Sequence, residues 1–144
     1  MATIVNANTL KAKDDILAMV GKIKKLDQTP EQLERWLINC LGTDTFNVWL
    51  AFEGDRLVGV AGGQLIAEPY FEPMVVIHFA YIEPGIICGQ ELLGRLESWA
   101  KKKNVEKIIF FTKRHYRSFE RKYGYKLERT MLIKRLNNED DVKT

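Results

Sequence analysis

The stretch MVVIHFAYIEPGIICGQELLGRLESWAKKKNVEKIIFFT, residues 74–112, runs from an apolar segment through a Pro-Gly turn and an amphipathic segment into a second apolar segment. Residues 74–82 are short and rich in β-branched and aromatic types, which predicts a mostly buried strand rather than a helix. Glu83-Pro84-Gly85 stops it. From Gly89 onward, Leu92, Leu93, Leu96, Trp99 and Ala100 recur at i, i+1, i+4, i+7 and i+8, the spacing of one helical face. Lys101, Lys102 and Lys103 suit the negative end of that helix. After Asn104, VEKIIFFT predicts another buried strand. A helical connection of this length between two strands predicts a parallel, right-handed crossover. The helix then opens with free backbone amides beside the strand ends.

The chain has 144 residues, 46% hydrophobic and 28% charged, the balance of an ordinary globular domain large enough to bury a core without staples. One domain over residues 1–136 with a polar tail over 137–144 is expected. No apolar run approaches the roughly 20 residues of a membrane span, and the first residues lack a signal-peptide core, so a cytoplasmic protein without membrane partners is expected. Cys40 and Cys88 fit neither a metal spacing nor a disulfide framework, and read as reduced packing thiols. No metal is expected.

The other segments follow in order. Residues 2–6 predict a short strand. Residues 14–23 predict a helix with Ile16, Met19, Val20 and Ile23 on one stripe. Thr29-Pro30-Glu31-Gln32 is a helix start, Thr29 capping, Pro30 in the first position and Gln32 closing a capping box. Leu33, Trp36, Leu37, Cys40 and Leu41 follow on the core face, and Gly42 ends it. FNVWLAFE and RLVGVAGGQLIA, separated by Gly54-Asp55, predict an antiparallel hairpin. A short helix over residues 116–123, stopped by Gly124, and a last strand over 127–136 complete the chain.

Strand, two helices, three strands, helix, strand, helix, strand: this order resembles the GCN5-related N-acetyltransferase (GNAT) superfamily over nearly the whole chain. VWLAFEGDRLVGVAGGQLI is similar to that family's second and third strands, HFAYIEP to its fourth strand with a proline-ended turn, and LLGRLESWAKKKNVEKIIFFT to the next helix and strand. FERKYGYKLERTMLIKRL is similar to its closing element, with Gly124-Tyr125 at a Gly-Phe position. The resemblance implies an α/β fold with a mixed central sheet and flanking helices. It also implies acetyl-CoA as co-substrate and transfer of an acetyl group to an amine of a small molecule or a protein. In that family a Gln/Arg-x-x-Gly-x-Gly/Ala loop opens the helix and its amides hold the pyrophosphate. The corresponding residues here are Pro84, Gly85, Ile86, Ile87, Cys88 and Gly89, of which only the last glycine keeps the pattern.

The resemblance places the cofactor along Phe79, Ala80, Tyr81 and Ile82 and at the turn Gly85, Ile86, Ile87, Cys88, Gly89 and Gln90, with Arg114 among the basic contacts to phosphate. An alternative reading of the turn has Gly85 and Gly89 merely shaping it while Ile86, Ile87 and Cys88 pack the core. His78 stands where some members carry a catalytic base, and an imidazole titrates near neutral pH. Its other reading is a buried, neutral histidine. Glu83 is a second candidate base. Glu120 stands where many members have an acidic tyrosine, so Tyr116, one turn earlier, is the candidate acid.

Residues 101–135 hold 13 lysines and arginines against 3 acidic residues, whereas the whole chain is only +3. That half suits coenzyme A phosphates, with Lys113, Arg114, Arg117 and Arg121 as contacts. It also suits nucleic acid or a solvated helix face. Phe110 and Phe111 lie in a buried-looking strand rather than on a stacking platform, which disfavours nucleic acid. A GNAT-like domain that has lost its coenzyme A site and serves as a binding or structural module is the alternative to an enzyme. No pattern fixes an oligomeric state.

Overall fold

A computed structural model describes residues 2–23, 28–67, 72–110, 121–126 and 134. The chain divides into two compact units, Met1–Lys113 and Arg114–Thr144. In the first, β1 (Thr3–Asn6) leads through a short 3-10 turn, Leu10–Ala12, into α1 (Lys13–Val20) and then α2 (Pro30–Cys40). β2 (Phe46–Glu53), β3 (Arg56–Ile66) and β4 (Met74–Ile82) follow, and α3 (Gly89–Lys102) connects to β5 (Ile108–Phe110). In the second, residues 121–123 are helical and Gly124 follows at φ 76°. The remainder of the helix expected over 116–123, the strand expected over 127–136 and the tail lie outside the described residues.

Local chemistry sets the ends of these elements. Thr29 Oγ1 accepts from the Gln32 backbone N–H at 3.2 Å, and Gln32 Oε1 accepts from the Thr29 N–H at 2.9 Å. The capping box thereby satisfies the Thr29 and Gln32 amides at the start of α2. β2 and β3 pair antiparallel up to Glu53 and Arg56, with Gly54-Asp55 as the two-residue loop. α1 ends at Val20, with Gly21 as its C-cap, three residues before the expected end at Ile23.

The sheet has the order β1-β2-β3-β4-β5, antiparallel through the first four strands and parallel between β4 and β5. It is the mixed sheet the sequence predicts. Its two faces are covered differently. On one, Ile16, Met19, Val20, Leu33 and Leu37 of α1 and α2 bury Phe46, Val48, Leu50, Val60 and Phe79. On the other lies the crossover helix α3, whose Leu92, Leu93, Leu96 and Ala100 are buried and whose Trp99 meets Trp49 edge-on at 6.3 Å. Cys40 and Cys88 are buried and unpaired, and burial pushes both thiols above their ordinary range. Among the described residues, no helix is long and apolar enough to cross a membrane.

Candidate active site at the end of the fourth strand

β4 contains one residue more than β3 can match. Gly63 pairs with Ile77 and Gly62 with Phe79, so His78 is the extra residue of a β-bulge. Side chains on a strand normally alternate between faces. The bulge breaks that alternation, and His78 and Phe79 both meet Trp36 of α2. The ring centroids lie 5.0 Å and 6.3 Å from the indole, each in an edge-to-face arrangement. Phe46 closes the aromatic group, 5.7 Å from Trp36 and 6.4 Å from Phe79.

Phe79 can occupy this place because it lies across Gly62. A Cβ at residue 62 would fall 2.4 Å from the Phe79 ring, well inside van der Waals contact. The small residue in β3 and the large one in β4 are therefore one packing unit.

His78 does not follow the expectation of a buried histidine in a buried strand. The bulge carries it to the rim of the aromatic group, where it is exposed while its neighbours are not. Its Nε2 lies 2.9 Å from Gln64 Oε1. Crowding by the surrounding atoms still removes part of the water around the ring, and this desolvation holds its pKa below the ordinary imidazole value of 6.5. At neutral pH the uncharged form of the ring is favoured.

Beyond the bulge, the side of β4 that faces away from β3 pairs with no described residue. β5 pairs with β4 only at Val75, Val76 and Ile77 among the described residues. The Glu83 N–H donates to the Val58 carbonyl at 2.9 Å, which makes that opposed pair a hydrogen-bonded one. Because hydrogen-bonded and non-hydrogen-bonded pairs alternate, Tyr81 and Phe79 also direct their backbone groups toward β3. Ala80 and Ile82 direct theirs away from it.

The strand then enters a tight turn. The Ile86 N–H donates to the Glu83 carbonyl at 3.2 Å, with Pro84 and Gly85 between them and Gly85 at φ 84°, the form of a type II turn. Glycine is needed there for its backbone angle, since no atom lies within 4 Å of where a Cβ would be. Ile86, Ile87 and Cys88 do not pack as a group: Cys88 is buried, Ile86 is half-buried, and Ile87 is 98% exposed. The closed turn ends before Ile87 and leaves its side chain without a neighbouring surface to cover.

α3 opens without a side-chain cap. Cys88 accepts no first-turn amide through its side chain, and the Leu92 N–H to Cys88 carbonyl bond, 2.9 Å, begins the helical series. The amides of Gly89, Gln90 and Glu91 precede it, at the positive end of the helix. They form a donor set for an anion, with one opposing feature: the Glu91 carboxylate in the same turn.

Glu83 sits between these parts. Lys22, just past α1, pairs with its carboxylate through Nζ, and the Tyr81 hydroxyl donates to the other oxygen at 3.5 Å. The hydrogen bond from Lys22 is the main reason its carboxyl is held below the usual range. It is ionised and engaged at neutral pH.

The structure thus brings His78, Glu83, the 79–82 edge and residues 85–90 to one end of β4. Tyr116, Arg114, Lys113 and Arg117 lie outside the described residues. Gln64 and Lys22 were not legible as site residues. Gln64 carries a weak signal as the first polar side chain after a long apolar run in β3, whereas nothing near Lys22 points to Glu83, 61 positions away. Among the described residues, no three His, Cys, Asp or Glu side chains are grouped to hold a metal ion.

No protein-family model matches the chain, and no curated protein matches it in sequence. Solved structures do match it. Aminoglycoside antibiotic 6'-N-acetyltransferase from Acinetobacter haemolyticus superposes with a TM-score of 0.78 at 14% identity, over 94% of this chain and 99% of that one. A predicted acetyltransferase from Clostridium acetobutylicum, solved with acetyl-CoA, gives 0.74 at 21% identity, over 94% and 97%. Glucosamine-6-phosphate N-acetyltransferase from Arabidopsis thaliana gives 0.70 at 14% identity, over 94% and 99%. The likeness is one of architecture: the chain has the fold of the GNAT acetyltransferases.

Proposed function

We propose that the protein is an acetyl-CoA-dependent N-acetyltransferase, with His78 as the base that deprotonates an acceptor amine. One observation carries the reading. A single strand presents, in order, an exposed neutral histidine at a bulge, a backbone edge at Ala80 and Ile82 that faces away from β3, and an uncapped helix N-terminus. A thioester cofactor with a long amide-bearing arm and a pyrophosphate needs those three things in that order. The donor chemistry fits: backbone amides and carbonyls for the arm, and helix-end amides for the phosphates.

When bound, acetyl-CoA supplies a thioester whose acetyl carbon bonds to the amine nitrogen as the carbon–sulfur bond breaks. His78, kept neutral at pH 7 by its lowered pKa, takes the proton that the amine must lose. Phe79, Ala80, Tyr81 and Ile82 hold the arm, and Gly85, Ile86, Ile87, Cys88, Gly89 and Gln90 surround the phosphates, with Arg114 as a basic contact. Tyr116 is the acid for the departing thiolate. Glu83, tied to Lys22, remains the second candidate base. The similar proteins named as aminoglycoside and glucosamine-6-phosphate N-acetyltransferases favour a small-molecule amine as acceptor over a protein amine.

Titration calorimetry of the purified chain with acetyl-CoA, and with coenzyme A as control, tests this reading. Saturable binding is expected, and at 100 times Kd it stabilises the fold by roughly 2.7 kcal/mol. A folded protein that gives neither heat nor a thermal shift is instead a module that has kept the fold and lost the cofactor. That second reading is favoured by the self-closed turn at Pro84-Gly85.

Glu91 offers a local check. Its charge opposes an anion at the α3 N-terminus, so Glu91→Gln tightens acetyl-CoA binding about two- to fivefold at low salt. Added salt narrows the gain. Equal affinities for the two proteins at low salt place the phosphates elsewhere.

A further inference from the structure

We infer that Gln64 is a positioning residue that holds His78 as its Nε2–H tautomer, so that Nδ1 is the nitrogen that accepts the amine's proton. The inference rests on the proposed role of His78 as base. It starts from a contact between neighbouring strands. Gln64 pairs with Val76 in the β3–β4 register and lies two residues from Gly62, on the same face as Phe79. The bulge adds His78 to that face and brings its Nε2 to 2.9 Å from Gln64 Oε1.

An amide oxygen only accepts hydrogen bonds. The ring nitrogen facing it must therefore be the donor, and a neutral imidazole has one N–H to give. Nδ1 is left with its lone pair. Turning the ring over by 180° would replace Nε2 by a carbon and leave the Gln64 oxygen without its partner. Trp36, 5.0 Å from the ring, further restricts the side chain. Both described ring contacts, Gln64 from β3 and Trp36 from α2, are uncharged, and desolvation alone accounts for the direction of the pKa shift.

The arrangement also acts during proton transfer. As an amine N–H bond breaks and an Nδ1–H bond forms, the ring becomes an imidazolium with a proton on each nitrogen. The Nε2–H to Gln64 bond is then charge-assisted and stronger than in the resting state. Exposure of His78 lets the acquired proton pass to solvent after each cycle.

The test is long-range proton–nitrogen NMR of the full chain labelled with 15N-histidine. The chain has two histidines, His78 and His115, so a His115→Gln variant assigns both. Above its titration, His78 is expected to show protonated Nε2 and unprotonated Nδ1. Gln64→Glu places a carboxylate against the Nε2–H and is expected to raise the His78 pKa by about one unit. The inflection of kcat/KM against pH moves by the same amount. Gln64→Leu is expected to lower kcat/KM about tenfold at unchanged acetyl-CoA affinity, with Gln64→Asn recovering part of the loss.

An Nδ1–H tautomer in the wild type, or a His78 titration that Gln64→Glu does not move in the folded protein, overturns the inference. The NMR measurements need no turnover. Failure of acetyl transfer therefore counts against the proposed function, while the tautomer stands or falls on its own spectrum.

Discussion

With His78 as the proposed base, His78→Ala is expected to lower acetyl-transfer turnover by about 100-fold or more, the range that a positioned general base contributes. Stability changes little, because the ring sits exposed at the rim of the aromatic group and its loss leaves no buried cavity. The pH dependence carries the same assignment in the wild type. A base works unprotonated, so kcat/KM rises with pH through the His78 pKa and then levels. Desolvation holds that pKa below 6.5, and the inflection is therefore expected on the acid side of an ordinary imidazole. Steady-state kinetics against a reactive amine, from pH 5 to 8, read both effects. A folded His78→Ala protein with unchanged turnover removes His78 from the mechanism.

The second large effect is on stability. Gly62→Val is expected to destabilise the protein by about 3 kcal/mol, at the upper end of ordinary overpacking. Contacts from a Cβ at 2.4, 2.6 and 3.1 Å to the Phe79 ring leave no space even for alanine. Valine adds two further methyl groups. The ring cannot withdraw, since it is 4% exposed and held between Trp36 and Phe46. For a chain of this size the expected fall in Tm is roughly 10 °C. Shortening the ring relieves the clash, so Gly62→Val combined with Phe79→Ala is less destabilised than the two single changes added together. Strict additivity in thermal or urea unfolding shows that the ring does not lie across Gly62.

Features encoded within a few residues were legible before the structure. The capping box at Thr29 and Gln32, the Gly54-Asp55 hairpin and the apolar face of Leu92, Leu93, Leu96 and Ala100 each depend on neighbours in sequence. Each is found where the sequence places it. The parallel return of β5 followed from the length of its connection. The 3-10 turn over Leu10–Ala12 left no trace, because Thr9 forms no side-chain cap there. The site was legible as a region but not in detail. The alternative readings, His78 as a buried histidine and Ile87 as a core residue of the turn, both followed composition. Both readings failed where backbone geometry, a bulge in one case and a closed turn in the other, overrode composition. Gln64 beside His78 and Lys22 beside Glu83 come from 14 and 61 positions away, and period carries no information about such pairs.

The inserted residue gives β4 two reading frames. Up to His78 the side chains keep one phase of in and out, and from Phe79 onward they keep the other. An alignment of letters that slides through the strand in a single frame will turn half of it inside out. It will set His78 against α3 or Phe79 away from Trp36. Proteins that share this architecture at 14–21% identity offer too few matched letters to correct such a slip. Superposed backbones are therefore the proper basis for carrying residue roles along this strand, in either direction between this chain and its structural kin.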